Sequence, residues 1–344
     1  MIKVLIVDDS PVARELIEHI LSADPEVRVI GTARNGLEAL AALEHKHPDV
    51  VTMDVHMPGM DGFETTRQIM MKYPTPVVIV TSTLDPQTDS AVFRTLEAGA
   101  LAILLKPPGF GHPDHARTAA ELLQTVRLMS EVKVVRRSAR RSRVEAPQVA
   151  RVEEVARVKV VAIGASTGGP VVVQNILSSL PADFPVPVLV VQHMAEEFIG
   201  GFAEWLSGSS ELKVKVGEQA ESVTPGFVYV APGGSQMGVD GLGRILLTPR
   251  QPGQYLCPSV THLFLSVAER YGNHAVGVLL TGMGADGALG LKEMQARGAL
   301  TIAQDEESCV VYGMPAEAVK LKAVQHVLPP QGIIEMLLGV VKRC

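Results

Sequence analysis

A chain of 344 residues is longer than one hydrophobic core usually serves, and 47% apolar but only 4% aromatic content predicts two domains of helices packed on sheets. A formal net charge of −6 argues against general nucleic-acid binding, and three scattered cysteines (Cys257, Cys309, Cys344) are too few for a disulfide framework or a zinc cluster. No apolar run reaches the roughly 18 residues a membrane helix needs, and Met1-Ile2-Lys3 leads straight into an apolar run, so no membrane insertion and no signal peptide are expected, and a cytoplasmic location is.

Reactive side chains recur at the ends of short apolar runs. In residues 1–125, strands are expected at 3–9, 27–33, 49–54, 76–81 and 102–106, each a continuous apolar run of the kind covered on both faces. Val12, Leu16, Ile20 and Leu21 mark one intervening helix, and Leu37, Leu40 and Leu43 another. Alternating β and α implies an α/β fold with a parallel sheet and right-handed crossovers. Ligands of such sheets collect at the carboxyl ends of the strands.

Asp8, Asp9 and Asp54 therefore meet at one edge of the first sheet. Three carboxylates repel each other unless a cation is present, and hard oxygen ligands favour Mg²⁺; the alternative is a set of loop acids capping helices. Thr81 and Lys106 end two further strands. With them the edge could hold a phosphoryl group, and one aspartate could be its acceptor.

Asp8-Asp9-Ser10, Met53-Asp54 with the following His56-Met57-Pro58-Gly59, Thr81-Ser82 and Lys106-Pro107 resemble the receiver domain of two-component response regulators, over about residues 1–125. The resemblance implies a five-stranded (βα)5 flavodoxin-like fold, phosphorylation of Asp54 by a histidine kinase, phosphoryl contacts from Thr81 and Lys106, and Mg²⁺ held by Asp9, Asp54 and the His56 backbone carbonyl, with Asp8 assisting. It also implies a cis peptide before Pro107. Ile103 stands where receivers often carry an aromatic switch residue.

Residues 126–157 change character. Arg136, Arg137, Arg140, Arg141 and Arg143 crowd together before Glu145-Ala146-Pro147, which reads as a basic linker between domains, part helical at its start. A solvated tether is the simplest account; an RNA-binding or acid-binding segment is the alternative.

A second α/β pattern fills residues 158–344. Strands are expected at 159–165, 186–192, 275–280 and 300–304, helices at 171–180, 197–207, 260–271 and 289–297, and a hairpin or meander attached to the main sheet within 227–247. Gly164-Ala165-Ser166-Thr167-Gly168 follows a strand and precedes a helix. It fits the G-x-S-x-G turn that presents a serine above a sheet, or else a phosphate-binding turn or plain helix cap. His193 directly ends a long apolar run and is the candidate base. Asp286 lies past the glycines of Thr281-Gly282-Met283-Gly284 and is the candidate orienting acid, or else the N-cap of the helix that follows. The chain order Ser, His, Asp differs from that of α/β-hydrolases.

These segments, with Val228–Gly233, Pro258-Ser259-Val260 and Gln304–Pro315, resemble the catalytic domain of the CheB-type chemotaxis protein-glutamate methylesterases, and receiver, linker and esterase together match that family's architecture. The resemblance implies a doubly wound, mostly parallel α/β domain. It implies that Ser166 attacks the γ-methyl ester of a glutamate on methyl-accepting chemotaxis receptors, that His193 and Asp286 complete the triad, that the Met283 amide donates to the oxyanion, and that Thr167 assists His193. Deamidation of receptor glutamines uses the same chemistry, and no cofactor is implied for the esterase. Gln236, Thr261, Ala195 and Ile199 depart from the family's usual residues; they lie outside the triad and bear on substrate fit. Phosphorylation of Asp54 is expected to relieve packing of the receiver across the Ser166 site. The competing readings are a non-enzymatic response regulator, serving as phosphate sink or scaffold, and a nucleic-acid effector using the basic linker.

Overall fold

The apolar runs read from the sequence become strands. The computed structural model describes residues 1–82, 89–132, 134, 157–251 and 256–341 (89–91 by backbone alone), and the chain divides into two compact units, Met1–Ser142 and Arg143–Cys344. The arginines expected in the linker, Arg136 to Arg143, lie outside the described residues. Among the described residues no helix is long and apolar enough to cross a membrane.

The first unit runs β1 (Ile2–Val7), α1 (Pro11–Ser22), β2 (Val27–Ala33), α2 (Gly36–His45), β3 (Val50–Met53), α3 (Gly62–Lys72), β4 (Val77–Thr81), α4 (Asp89–Ala98), β5 (Ala102–Leu105) and α5 (His115–Ser130). Its five strands are parallel in the order β2-β1-β3-β4-β5, with the topological switch point between β1 and β3. Ser10, Asn35 and Asp61 cap the first three helices, each accepting a backbone N–H with its side chain. α2 packs on α3 and α3 on α4, whereas α5 packs on α1.

Two expectations about helix faces need correction. α1 buries Ile17, Ile20 and Leu21, while Val12 is 72% exposed. Five residues separate Val12 from Ile17, which places it about 140° around the helix. Likewise α2 buries Gly36, Ala39 and Leu43 and leaves Leu37 exposed. The bond before Pro107 is not cis; among the described residues the cis peptide is Cys257–Pro258. α5 extends to Ser130, past residue 125.

The second unit runs β6 (Val160–Ala165), α6 (Gly169–Ser178), β7 (Val188–Gln192), α7 (Ile199–Ser209), β8 (Lys213–Val216), β9 (Phe227–Val230), β10 (Ser235–Val239), β11 (Ile245–Pro249), α8 (Val260–Tyr271), β12 (Ala275–Leu279), α9 (Ala288–Ala296), β13 (Leu300–Gln304), α10 (Met314–Lys320), β14 (His326–Leu328) and α11 (Pro330–Val341). Seven strands form a sheet in the order β14-β13-β12-β6-β7-β9-β8, every neighbouring pair parallel. The chain leaves β6 toward β7 and later returns on the other side as β12, so β6 and β12 flank the switch point. α8 packs against α9 and β10, and α6 against α7 and α11.

The 227–247 stretch splits. β9 joins the main sheet, but β10 and β11 form a separate antiparallel pair. Pro232 and the left-handed Gly234 (φ 68°) turn the chain out of the sheet after Val230. Sequence reading has no counterpart for β8 and β14, which are the two edge strands. A half-exposed edge needs no continuous apolar run, and Lys213-Val214-Lys215-Val216 alternates instead.

Candidate functional site

In the first unit the register pairs Val7 with Met53, and the Asp54 amide donates to the Val7 carbonyl (2.8 Å), so Asp8 and Asp54 leave adjacent strands side by side. Both are buried, and Asp9 is exposed. Each buried carboxylate spends one oxygen on a local amide: Asp8 Oδ1 accepts from Ser10 N (2.9 Å) and Asp54 Oδ1 from Val55 N (2.9 Å). The other oxygens converge on one ammonium, with Lys106 Nζ 2.8 Å from Asp8 Oδ2 and 3.0 Å from Asp54 Oδ2. Burial raises the Asp54 pKa, and the nearby Asp8 charge adds to the rise while Lys106 opposes it. Burial works to lower the Lys106 pKa, but Asp8 and Asp54 outweigh it and the net shift is upward. Arg14 ties down the loop by donating to the Asp8 and Asp9 carbonyls (2.6 and 3.0 Å).

The donor set suits a hard divalent cation. One oxygen each from Asp8, Asp9 and Asp54 lies within 4.8 Å of the others, and the buried Asp8 Oδ2 has no well-aligned hydrogen bond despite its ion pair. The exposed His56 lines a shallow cavity of about 300 Å³ with Asp61, Phe63 and Arg94, and its side chain is not part of this acidic group. Thr81 is buried at the end of β4; its hydroxyl is 3.4 Å from the Ser82 carbonyl and its carbonyl accepts the Lys106 amide (2.7 Å). Ile103, in β5, pairs with Ile79.

In the second unit three strand ends converge. The Ser166 amide donates to the Thr281 carbonyl (3.0 Å), and the His193 amide donates to the Ala165 carbonyl (2.9 Å). His193 Nε2 is 2.9 Å from Asp286 Oδ2. Among the described residues no hydrogen bond joins the Ser166 hydroxyl to the His193 ring; such bonds often tighten only with substrate present. Thr167 is adjacent, its carbonyl accepting the Thr281 hydroxyl at 3.0 Å.

Asp286 is not the cap of the helix that follows it. Gly287 holds that position, and the carboxylate turns instead to the start of α8. Oδ2 accepts from Val260 N (2.7 Å), while Oδ1 accepts from Thr261 N (3.0 Å) and the Ser259 hydroxyl (2.8 Å). Burial alone would raise the Asp286 pKa. The bond and charge of His193, with bonds from Thr261, overcome burial and hold it well below the ordinary carboxylate value. Free amides at a helix start stabilise an anion, so a buried carboxylate stays charged here.

Contacts of Thr261 and Gln236, and two further glutamines that the sequence reading did not single out, surround these residues. Thr261 touches Asp286 directly: its amide donates to the carboxylate and its hydroxyl accepts the Gly287 amide (2.7 Å). Gln236 accepts the Ser259 amide (2.7 Å). Gln192, ending β7, donates to the Ser166 and His193 carbonyls (2.8 and 3.0 Å). Gln304, ending β13, accepts the Thr281 amide (2.9 Å). Both glutamines are polar residues closing apolar runs, the same signal that singled out His193. Ala195 precedes a short 3-10 turn and is half-buried, and Ile199 is buried at the start of α7.

The Gly282–Gly284 loop lies against Ser166. A Cβ on Gly282 would come 2.6 Å from Ser166 Cβ, so only glycine fits. The Gly282 amide donates to the Val311 carbonyl (3.0 Å), and its carbonyl accepts from Gly313 and Met314 (3.1 and 2.9 Å). That carbonyl belongs to the peptide group whose N–H is that of Met283.

Comparison with known proteins follows the same division. The CheB methylesterase family profile matches residues 161–337 and that of the response regulator receiver domain matches residues 4–112. A protein of Syntrophus aciditrophicus named protein-glutamate methylesterase/protein-glutamine glutaminase 1 is 51% identical over 343 residues, 98% of each chain. One of Nitrosospira multiformis with the same activities in its name is 49% identical over 99% of this chain and 97% of its own. The crystal structure of the Thermotoga maritima CheB methylesterase catalytic domain is similar with a TM-score of 0.52 and 39% identity, covering 54% of this chain and all of that one.

Proposed function

The chain belongs to the CheB methylesterase family and carries a response regulator receiver domain, and from that premise we propose that it hydrolyses glutamate γ-methyl esters on methyl-accepting chemotaxis receptors, under control of phosphorylation at Asp54. As an enzyme of this family it is a carboxylic ester hydrolase; removal of ammonia from receptor glutamines follows the same route. The observation that supports the reading is the bond of His193 Nε2 to Asp286 Oδ2 at 2.9 Å, with Ser166 and His193 at the ends of the adjacent strands β6 and β7.

Asp286 occupies Nε2, which leaves Nδ1 of His193 to take the proton as Ser166 Oγ attacks the ester carbonyl. The Met283 N–H donates to the oxyanion, and Thr167 assists His193. The carbonyl re-forms, the C–O bond to methoxide breaks, and His193 returns its proton so that methanol leaves. Water then attacks the acyl-enzyme by the same proton route, which frees the glutamate carboxylate and Ser166. Nucleophile, base, orienting acid and oxyanion donor all come from the chain, so the reaction needs no cofactor.

At the first site the Asp54 carboxylate takes the phosphoryl group from a phosphohistidine of the chemotaxis-type kinase, in the cytoplasm. Asp9, Asp54 and the His56 carbonyl would hold Mg²⁺, with Asp8 assisting. When bound, Mg²⁺ neutralises charge on the phosphoryl oxygens. Lys106 exchanges its ion pair for the phosphoryl group, and Thr81 donates a hydrogen bond to it. The domains of this reading are a receiver at 1–125, a linker at 126–157 and an esterase at 158–344.

Methanol release from methylated receptor, with and without a small-molecule phosphodonor, tests the reading. Release that is stimulated by the donor and lost in Ser166→Ala is expected. An unreactive wild type that also resists a fluorophosphonate probe would favour the scaffold reading.

A further inference from the structure

We propose that Gln236 is a positioning residue that sets the Asp286 carboxylate through Ser259; the inference rests on the esterase reading above and adds a residue to it. Gln236 is only 4% exposed and uses both ends of its side chain. Oε1 accepts the Ser259 amide at 2.7 Å, and Nε2 donates to the Leu256 carbonyl at 2.8 Å. One amide group thus clamps the 256–259 segment at its two ends. The clamp stands on a firm base, because β10 lies directly on α8. A Cβ on Gly238 would meet Ser266 Oγ at 2.9 Å, and Val239 N donates to that hydroxyl at 3.1 Å.

Ser259 passes the constraint on. Its hydroxyl donates to Asp286 Oδ1 at 2.8 Å and accepts the His262 amide at 3.3 Å, capping α8. Asp286 then holds His193 through Oδ2 at 2.9 Å. The line Gln236–Ser259–Asp286–His193 is therefore continuous. Thr261 braces the same oxygen, donating to Asp286 Oδ1 with its amide, and its hydroxyl accepts the Gly287 amide. An orienting acid works only if the imidazole is held in one pose as it becomes charged, so what fixes the carboxylate fixes the rate.

The test uses the full chain with a phosphodonor and compares wild type, Gln236→Met, Ser259→Ala and the double variant. Two readouts are methanol release from methylated receptor and fluorophosphonate labelling rate against pH. Gln236→Met keeps the length and removes both bonds. It is expected to lower kcat by about tenfold or more with KM within about twofold, short of the roughly 10⁴-fold loss when an orienting acid is disabled. The acid limb of the pH profile should move to lower pH in both single variants, because the imidazolium is less well held. The double variant should lose little more than the worse single one, since both act on one path. Additive losses, or a wild-type pH profile in the single variants, overturn the proposal. Should Gln236→Met fail to fold, an unshifted profile in Ser259→Ala overturns it alone. If wild type neither releases methanol nor labels, the esterase reading itself has failed, a separate result.

Discussion

The Gly313 amide donates to the Gly282 carbonyl at 3.1 Å, and that carbonyl points opposite to the Met283 N–H across the same trans peptide bond. Met314 donates to the same oxygen at 2.9 Å. Two donors on the carbonyl fix the plane of the peptide and polarise its N–H, which is what the oxyanion role proposed for the Met283 amide requires. A Cβ on Gly313 would stand 2.7 Å from that carbonyl oxygen and 3.2 Å from Met283 Cα. Gly313→Ala should therefore tilt the peptide and cost on the order of 10²–10³ in kcat with little change in KM. Steady-state kinetics decide it; a variant with normal kcat refutes the role given to the peptide.

Gln192 donates to both the Ser166 and the His193 carbonyls. The Ser166 oxygen keeps a second donor in Gly169 N (2.8 Å). Gln192→Leu should thus leave chiefly the His193 carbonyl without its bond and cost about 1–3 kcal/mol. Urea unfolding measures it, and an unchanged midpoint would count against the account.

Asp286 has a folded pKa below its ordinary value of 3.8. The folded state therefore binds fewer protons than the unfolded state near pH 3–4, and stability rises with pH there. The contribution is complete above the unfolded value and is lost as pH falls toward the folded one. Asp286→Asn should show a smaller fall in Tm between pH 5 and pH 3 than wild type. Parallel curves for the two proteins would contradict the assignment.

Asp8, Asp9 and Asp54 gather oxygens within 4.8 Å of one another. Mg²⁺ in excess should raise the Tm of the wild-type chain, because it binds only the folded arrangement. Asp9→Asn should weaken the rise, and Asp54→Asn should abolish phosphodonor stimulation of methanol release. Stimulation that survives in Asp54→Asn would exclude this residue as the acceptor.

Much of the fold was legible because its signals are local. Buried parallel strands read as apolar runs, and the expected bounds 27–33, 260–271 and 300–304 coincide with β2, α8 and β13. The strand-end rule also brought out Asp8, Asp54, Lys106, Ser166 and His193 before any contact was known. Apolar patterning failed where burial is one-sided: Val12 and Leu37 are apolar but face water, and the edge strands β8 and β14 carry weak patterns. A helical face is defined by angle, and apolarity alone does not set it.

The amino-acid sequence by itself determined two α/β units, the residues at their strand ends and the chemistry those residues can do, because period and composition act over a few neighbours. Only the tertiary structure decided what holds Asp286. Its partners Ser259, Val260 and Thr261 lie 25 to 27 residues earlier, and Gln236 lies a further 23 before Ser259. No local pattern links such positions; they meet because α8 packs on β10 and on the strands beneath it, which aims the free amides of its first turn at a carboxylate from another strand end.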